Sequence, residues 1–361
     1  MRAAILSRIG APLEIDDMTL RPIEAHEVRV RIVAVGVCHT DLSLADGTIP
    51  QSVPAVLGHE AAGVVVDVGD EVSSLAPGDH AILSWIAPCR RCFWCGRGQV
   101  ELCEHGLDHA FARPHGSWRG QPVAAALGTG TFAEETIVPE AAALAIDHDL
   151  PLELAALIGC GVVTGVGAVV HNPAVRPGDS VAVVGCGGVG LAAIQGARLA
   201  EAGQIIAIDR APAKERMALD NGATDVIIGS GDVAAAVRDL TEGRGADHTV
   251  EAVGRPSTIL DAFNACRRGG TVTVVGAGST DDLVSLPALS LMVDAKTLRG
   301  CVYGGTDPAR DFPRIVAWAA AGRLDLPRLV TRSIALEDVN DAFAAMATGE
   351  VARSVIAMDR A

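Results

Sequence analysis

The chain has 361 residues, of which 49% are hydrophobic and 20% charged, with 29 basic and 44 acidic side chains for a formal net charge of −15. That length allows two domains, each with a buried core, and the apolar content excludes a disordered chain. The acidic balance, with no basic cluster stronger than Arg90, Arg91 and Arg97, excludes nucleic acid as a partner. No apolar run reaches the roughly 18 residues of a membrane span. The first residues are too weakly apolar for a secretory signal, so the expected compartment is the cytoplasm. Disulfides are not expected there, and nine cysteines need another explanation.

From Met1 to Gly161 short strands and turns dominate. Val28–Val35 alternates charged and apolar residues before becoming wholly apolar, Ala61–Val68 is Val-rich and ends at Gly69-Asp70, and Asp79–Trp85 follows Pro77-Gly78. This predicts a β-rich, barrel-like region interrupted by a cysteine lobe. From Val162 to Val302 the rhythm changes. Short apolar runs at Val181–Gly185, Ile205–Asp209, Val226–Ile228, His248–Glu251, Thr271–Gly276 and Thr297–Cys301 read as strands. Helical patterns at Val189–Ala202, Lys214–Asn221 and Asp232–Leu240 separate the early ones. Strands alternating with helices predict an α/β fold with a doubly wound parallel sheet. The tail holds two predicted helices, Asp311–Ala321 and Leu336–Ala347, and an apolar end at Val355–Ala357.

Three constellations carry chemistry. Gly185-Cys186-Gly187-Gly188-Val189-Gly190 is a GxGxxG between a strand and a helix. Its glycines permit the tight turn, the approach of a pyrophosphate and close helix–strand packing, and the helix N-terminus offers free N–H donors. Asp209 follows at the end of the next strand, where a carboxylate accepts from the adenosine ribose hydroxyls and disfavours a 2′-phosphate. This points to NAD, although the adjacent Arg210 is placed to reach such a phosphate. Second, Cys89, Cys92, Cys95 and Cys103 lie close enough in sequence to enclose a tetrahedral Zn²⁺ with no open position, a structural staple. Third, Cys38-His39-Thr40-Asp41, Gly58-His59-Glu60 and Gly159-Cys160-Gly161 offer two thiolates and one imidazole. Such a set leaves a fourth zinc position for water or substrate.

In their order along the chain these motifs resemble, from end to end, the zinc-dependent alcohol dehydrogenases of the medium-chain dehydrogenase/reductase superfamily. The resemblance implies a GroES-like catalytic domain made of residues 1–161 and 303–361 around a Rossmann domain at 162–302. Two zinc ions per subunit are implied. Cys38, His59 and Cys160 match the catalytic ligands, Glu60 a carboxylate beside the metal, and Asp41 the residue that orients the ligand histidine. On the cofactor side, Thr164 and Val189 match nicotinamide contacts, and Val275 and Val302 match further cofactor-binding positions. Lys214 and Arg255 match adenosine-side contacts, and His39 and Arg353 the groups that hold the pyrophosphate. Of the three remaining cysteines, Cys186 falls inside the glycine loop, and Cys266 and Cys301 are assigned to packing.

The implied activity is reversible hydride transfer between a primary alkyl or aryl alcohol and NAD, with zinc polarising the substrate oxygen and Thr40 accepting the proton. Many relatives place a histidine three residues after this Thr as the outer member of the proton relay; here Ser43 stands there. Trp85 matches a pocket-lining position, and His105, His109 and His115 read as surface loop residues rather than ligands. The nearest subgroups are bacterial aryl/alkyl alcohol dehydrogenases and thiol-dependent formaldehyde dehydrogenases of the mycothiol or glutathione type, sharing Arg310-Asp311-Phe312-Pro313. The latter oxidise a hemithioacetal of formaldehyde, which makes that activity the alternative. A zinc-stapled NAD-binding regulatory protein without turnover is the remote one. The expected partners are a small-molecule substrate and, through strand Thr297–Cys301, further copies of the chain in a homodimer or homotetramer.

Overall fold

The computed structural model describes residues 1–171, 175–229, 231–349 and 351–358. Three sheets organise it. Six parallel strands run in the order Asp225–Ile228, Gln204–Asp209, Ser180–Val184, Ala246–Glu251, Cys266–Val274 and Thr297–Gly300. The chain thus starts this sheet in the middle, winds outward one way and returns to wind the other, which leaves a crevice at the carboxyl ends of the central strands. Near-continuous Val and Ile runs suit strands covered on both faces. Val181, Ala182 and Val183 have no measurable exposure.

A second, mostly antiparallel sheet is centred on the eleven-residue strand Glu27–Val37. One edge of that strand takes Glu60–Val68, and Glu135–Pro139 pairs along its first half. The end of the chain closes the sheet: Ser354–Ala357 pairs with the same long strand in the register Ser354↔Val37 and Ala357↔Ala34. A third sheet of six short strands includes Arg2–Leu6, Gln121–Ala125 and Pro114–Trp118.

Observed strands fall within a few residues of those expected. The helices differ more. Leu336–Ala347 divides into a 3-10 turn, Leu336–Asp338, and the helix Val339–Thr348. The helix Gly161–Val170, which has no polar face to reveal it, lies buried against the helix Gly188–Leu199, with Gly161 through Val169 all shielded from solvent. Gly165 lets it press on the carbonyl of Val189, where a side chain would collide. With the preceding turn it forms the one apolar bent pair, Leu152–Gly159 and Gly161–Val170, while no single helix among the described residues is long and apolar enough to cross a membrane.

Candidate active site

The long strand runs straight into Cys38, whose extended backbone caps the start of the helix His39–Asp46. One turn in, the Asp41 carboxylate folds back into the core. It accepts from the Cys38 N–H at 3.1 Å and the Gly58 N–H at 3.0 Å, and lies 2.9 Å from Nδ1 of His59. An ionised carboxylate only accepts, so His59 gives it the Nδ1 proton, which leaves Nε2 as the atom a metal would take in exchange for a proton. Burial opposes protonation of His59, yet the adjoining Asp41 carboxylate and Cys38 thiol outweigh it and hold the imidazole well above its usual pKa. Cys160 joins them from the start of the helix Gly161–Val170. Its thiol hydrogen-bonds Cys38 and, with the charges of Arg353 and His59, holds the Cys38 thiol well below the ordinary range despite burial.

The ligand atoms of Cys38, His59 and Cys160 lie within 4.8 Å of one another, and all three residues are buried. Tetrahedral zinc, with bonds of about 2.0–2.3 Å, spaces its ligands by roughly 3.3–3.8 Å. The set fits one ion and leaves a fourth position for a small molecule. Glu60 sits beside it, fully buried, with Oε2 accepting from the Gly161 N–H at 2.9 Å and Oε1 3.3 Å from Nε of Arg353. Oε1 has no hydrogen-bond partner, and burial pushes the Glu60 pKa up to about 7 against the pull of the Arg353 guanidinium.

Arg353 also reaches the glycine loop. Its guanidinium donates to the Val37 carbonyl at 3.1 Å and lies so close to Gly188 that a side chain there would strike it. A cavity of about 10 Å³, on the scale of a single water, lies among Glu60, Gly161, Gly188 and Arg353. In the glycine loop Gly185 takes φ 94°, and Gly190 packs on its carbonyl with no room for a side chain. Gly187, at the N-cap of the helix Gly188–Leu199, faces open space. Asp209 closes the loop's far side by accepting from the N–H groups of Cys186 at 2.7 Å and Ala211 at 2.9 Å. An open glycine face, a helix N-terminus and a carboxylate at the next strand end fit a dinucleotide.

The other sequence candidates divide by exposure. His39 is exposed. Thr40 is half-buried, its Oγ1 3.8 Å from the Cys38 thiol, and Ser43 is buried one turn further along the helix. Thr164 is buried, Val189 and Val275 half-buried, and Val302, Arg210 and Arg255 exposed. Lys214 is buried, with Nζ donating to the Val351 carbonyl at 2.6 Å.

The cysteine lobe forms a second, closed cluster. The sulfurs of Cys89, Cys92, Cys95 and Cys103 lie within 4.8 Å of one another, those of Cys92 and Cys103 3.9 Å apart, close to the tetrahedral spacing. The N–H groups of Cys89, Cys92 and Gly106 point at sulfur.

Two expectations change. His115 is no surface loop residue: it is buried in the strand Pro114–Trp118, neither ring nitrogen has a partner, and burial lowers its pKa to about 3. His109 is half-buried within the helix Glu104–Ala112, its Nε2 2.6 Å from Arg113. The cause is Glu27, which draws Arg113 inward beside Arg21; only His105 is exposed. Conversely, sequence reasoning passed over Tyr303. It is buried, hydrogen-bonds the Gly159 carbonyl, and packs edge-on against Trp85 at 5.2 Å between ring centroids. Being the sole tyrosine in a chain with 3% aromatics was its one signal.

Residues 24–148 match the family model described as alcohol dehydrogenase GroES-like domain, and residues 188–321 match that of the zinc-binding dehydrogenases. An S-(hydroxymethyl)glutathione dehydrogenase of Escherichia coli is 39% identical, covering 98% of this chain and 99% of its own. Among solved structures, an alcohol dehydrogenase zinc-binding domain protein from Burkholderia ambifaria is 36% identical with a TM-score of 0.94. A benzyl alcohol dehydrogenase from Acinetobacter calcoaceticus is 30% identical with a TM-score of 0.93. Each of these two covers 99% of both chains.

Proposed function

Because the chain belongs to the zinc-dependent alcohol dehydrogenases of the medium-chain dehydrogenase/reductase superfamily, we propose that it oxidises the hydroxymethyl adduct of formaldehyde and a low-molecular-weight thiol, with NAD as acceptor. The observation that carries this reading is the near-complete, 39% identical match to S-(hydroxymethyl)glutathione dehydrogenase, joined to a metal site with an open position. Oxidising such a carbinol removes a hydride from carbon and a proton from oxygen. When bound, zinc supplies Lewis acidity to the carbinol oxygen and the nicotinamide supplies the hydride acceptor.

The chain's own residues do the rest. Cys38, His59 and Cys160 hold the metal, with Asp41 fixing the tautomer of His59. Thr40, beside Cys38, takes the carbinol proton. Ser43 follows it on the helix without basicity near neutral pH, so the proton leaves through water or His39. Arg353 balances the Glu60 charge and presents a cation to the glycine loop, where the pyrophosphate docks. Asp209 accepts from the ribose, which favours NAD over a cofactor with a 2′-phosphate. Trp85 walls the substrate side.

A second reading, direct oxidation of primary or benzylic alcohols, draws support from the likeness to benzyl alcohol dehydrogenase. NADH formation from formaldehyde with and without added thiol separates them. Absolute thiol dependence supports the adduct; equal turnover of simple alcohols supports the second reading, and no turnover on either overturns both. A homodimer is also proposed. The edge strand Thr297–Gly300 is exposed along its whole length, and Leu289 and Met292 of the helix just before it in sequence are bare, features that soluble chains cover with another copy. Sedimentation of a monomer would refute it.

A further inference from the structure

Cys160 is held from both sides. Its following N–H, on Gly161, is bound by Glu60; its preceding carbonyl, on Gly159, is bound by the hydroxyl of Tyr303. The same hydroxyl lies 3.2 Å from Oγ of Ser84, the residue before Trp85, and the Tyr303 ring meets the Trp85 ring at 68°. One side chain therefore touches the peptide that leads into Cys160 and the ring of Trp85.

The backbone beneath it is unusual. Tyr303 takes φ 53° and ψ 28°, and Gly304 and Gly305 follow with φ 72° and 65°. A side chain in the left-handed region is unfavourable and persists only where its surroundings enforce it. Here they do. The Gly304 carbonyl meets Nδ1 of His171 at 3.2 Å, and Nε2 of His171 lies 3.4 Å from the buried Asp311. Asp311 is fastened in turn by the Arg310 side chain and the Asp307 N–H. The Arg310-Asp311-Phe312-Pro313 motif thus acquires a task, anchoring the turn that carries Tyr303.

We propose that Tyr303 is a positioning residue with two separable duties: its hydroxyl fixes the Cys160 loop against the metal, and its ring fixes the width of the substrate pocket through Trp85. The proposal rests on Cys38, His59 and Cys160 being metal ligands and on Trp85 walling the substrate side, as proposed above, and not on which carbinol is oxidised. The duties divide between two substitutions. Tyr303→Phe keeps the ring and removes the hydroxyl; Tyr303→Leu removes both.

The test uses the full-length, zinc-loaded protein. Zinc release to a chelator is followed in time, the catalytic phase being the one missing from Cys160→Ser protein. Relative kcat/KM is measured across the primary carbinols that the wild type oxidises, from the smallest to the benzylic. Loss of a group that orients a metal ligand typically weakens binding about 10- to 100-fold. Tyr303→Phe is expected to release catalytic zinc about tenfold faster or more with the substrate ranking unchanged. Tyr303→Leu is expected to shift the ranking toward bulky substrates by about tenfold as well. Wild-type zinc release in Tyr303→Phe overturns the first duty, and an unchanged ranking in Tyr303→Leu the second. A lowered melting temperature with neither effect marks Tyr303 as merely structural and overturns both. Should the Leu variant fail to fold, zinc release from the Phe variant decides. That readout requires no turnover, so it stands even if the formaldehyde adduct proves not to be the substrate.

Discussion

The Cys89–Cys103 lobe draws four thiols from one short loop and leaves three of them partly open to solvent, whereas Cys38, His59 and Cys160 come from three distant elements and are buried. In the lobe, neighbouring backbone N–H groups aim at the sulfurs, so local chain geometry alone builds most of the site. In the cleft nothing local suffices. The long strand, the loop before Glu60–Val68 and a buried helix each deliver one ligand, and Asp41, Glu60 and Tyr303 hold those deliveries in register. A closed site made by a loop serves stability; an open site made by the whole fold serves chemistry.

The sharpest way to break this contrast is to remove one ligand from each side. Cys160→Ser is expected to lower kcat/KM by about a thousandfold or more while the protein stays folded and keeps one zinc per chain, read by metal analysis. A variant that retained substantial activity would remove the cleft from the mechanism. Cys95→Ser is expected to do the reverse: the melting temperature falls, by several degrees on the scale of a lost structural metal, and kcat per occupied catalytic site changes little.

Acid acts on a buried group outside both clusters. His115 lies on the strand that follows the lobe's helix, and burial lowers its pKa from 6.5 to about 3. As pH falls through that window the unfolded chain takes up the proton first, so this contribution to stability is full above about 6.5 and lost toward 3, a few kcal/mol at most. His115→Leu is expected to flatten the decline of the urea midpoint between those values; a curve parallel to the wild type would contradict it.

Asp41→Asn tests support of the cleft ligands. An amide presents one acceptor oxygen where the carboxylate serves Cys38, Gly58 and His59 together. Zinc affinity should drop about 10- to 100-fold in chelator competition, with the lobe's metal unaffected. The smallest effect is expected at Ser43. Introducing histidine there supplies a titrating group beyond Thr40, and should move the pH–rate profile and solvent isotope effect by a modest amount. Identical profiles would mean that proton release does not pass this position.

The lobe was readable from spacing alone, and the glycine loop from its place between an apolar run and a helical pattern. Both are local arrangements. The cleft became readable only as three motifs taken in order, because no spacing rule links Cys38 to Cys160. The helix Gly161–Val170 escaped because burial on all sides erases periodicity, and His115 because polarity alone predicts a surface. Tyr303 escaped for a different reason: its partners are a backbone carbonyl and a ring, neither of which leaves a mark in sequence.

The closing strand Ser354–Ala357 carries a consequence for how the protein comes into being. Arg353 meets Val37 across a sequence separation of 316 residues. On a ribosome, all three cleft ligands and the glycine loop emerge while Arg353 is still unmade. The metal-site residues are therefore all present in a growing chain before Arg353 can bind Val37 and Glu60.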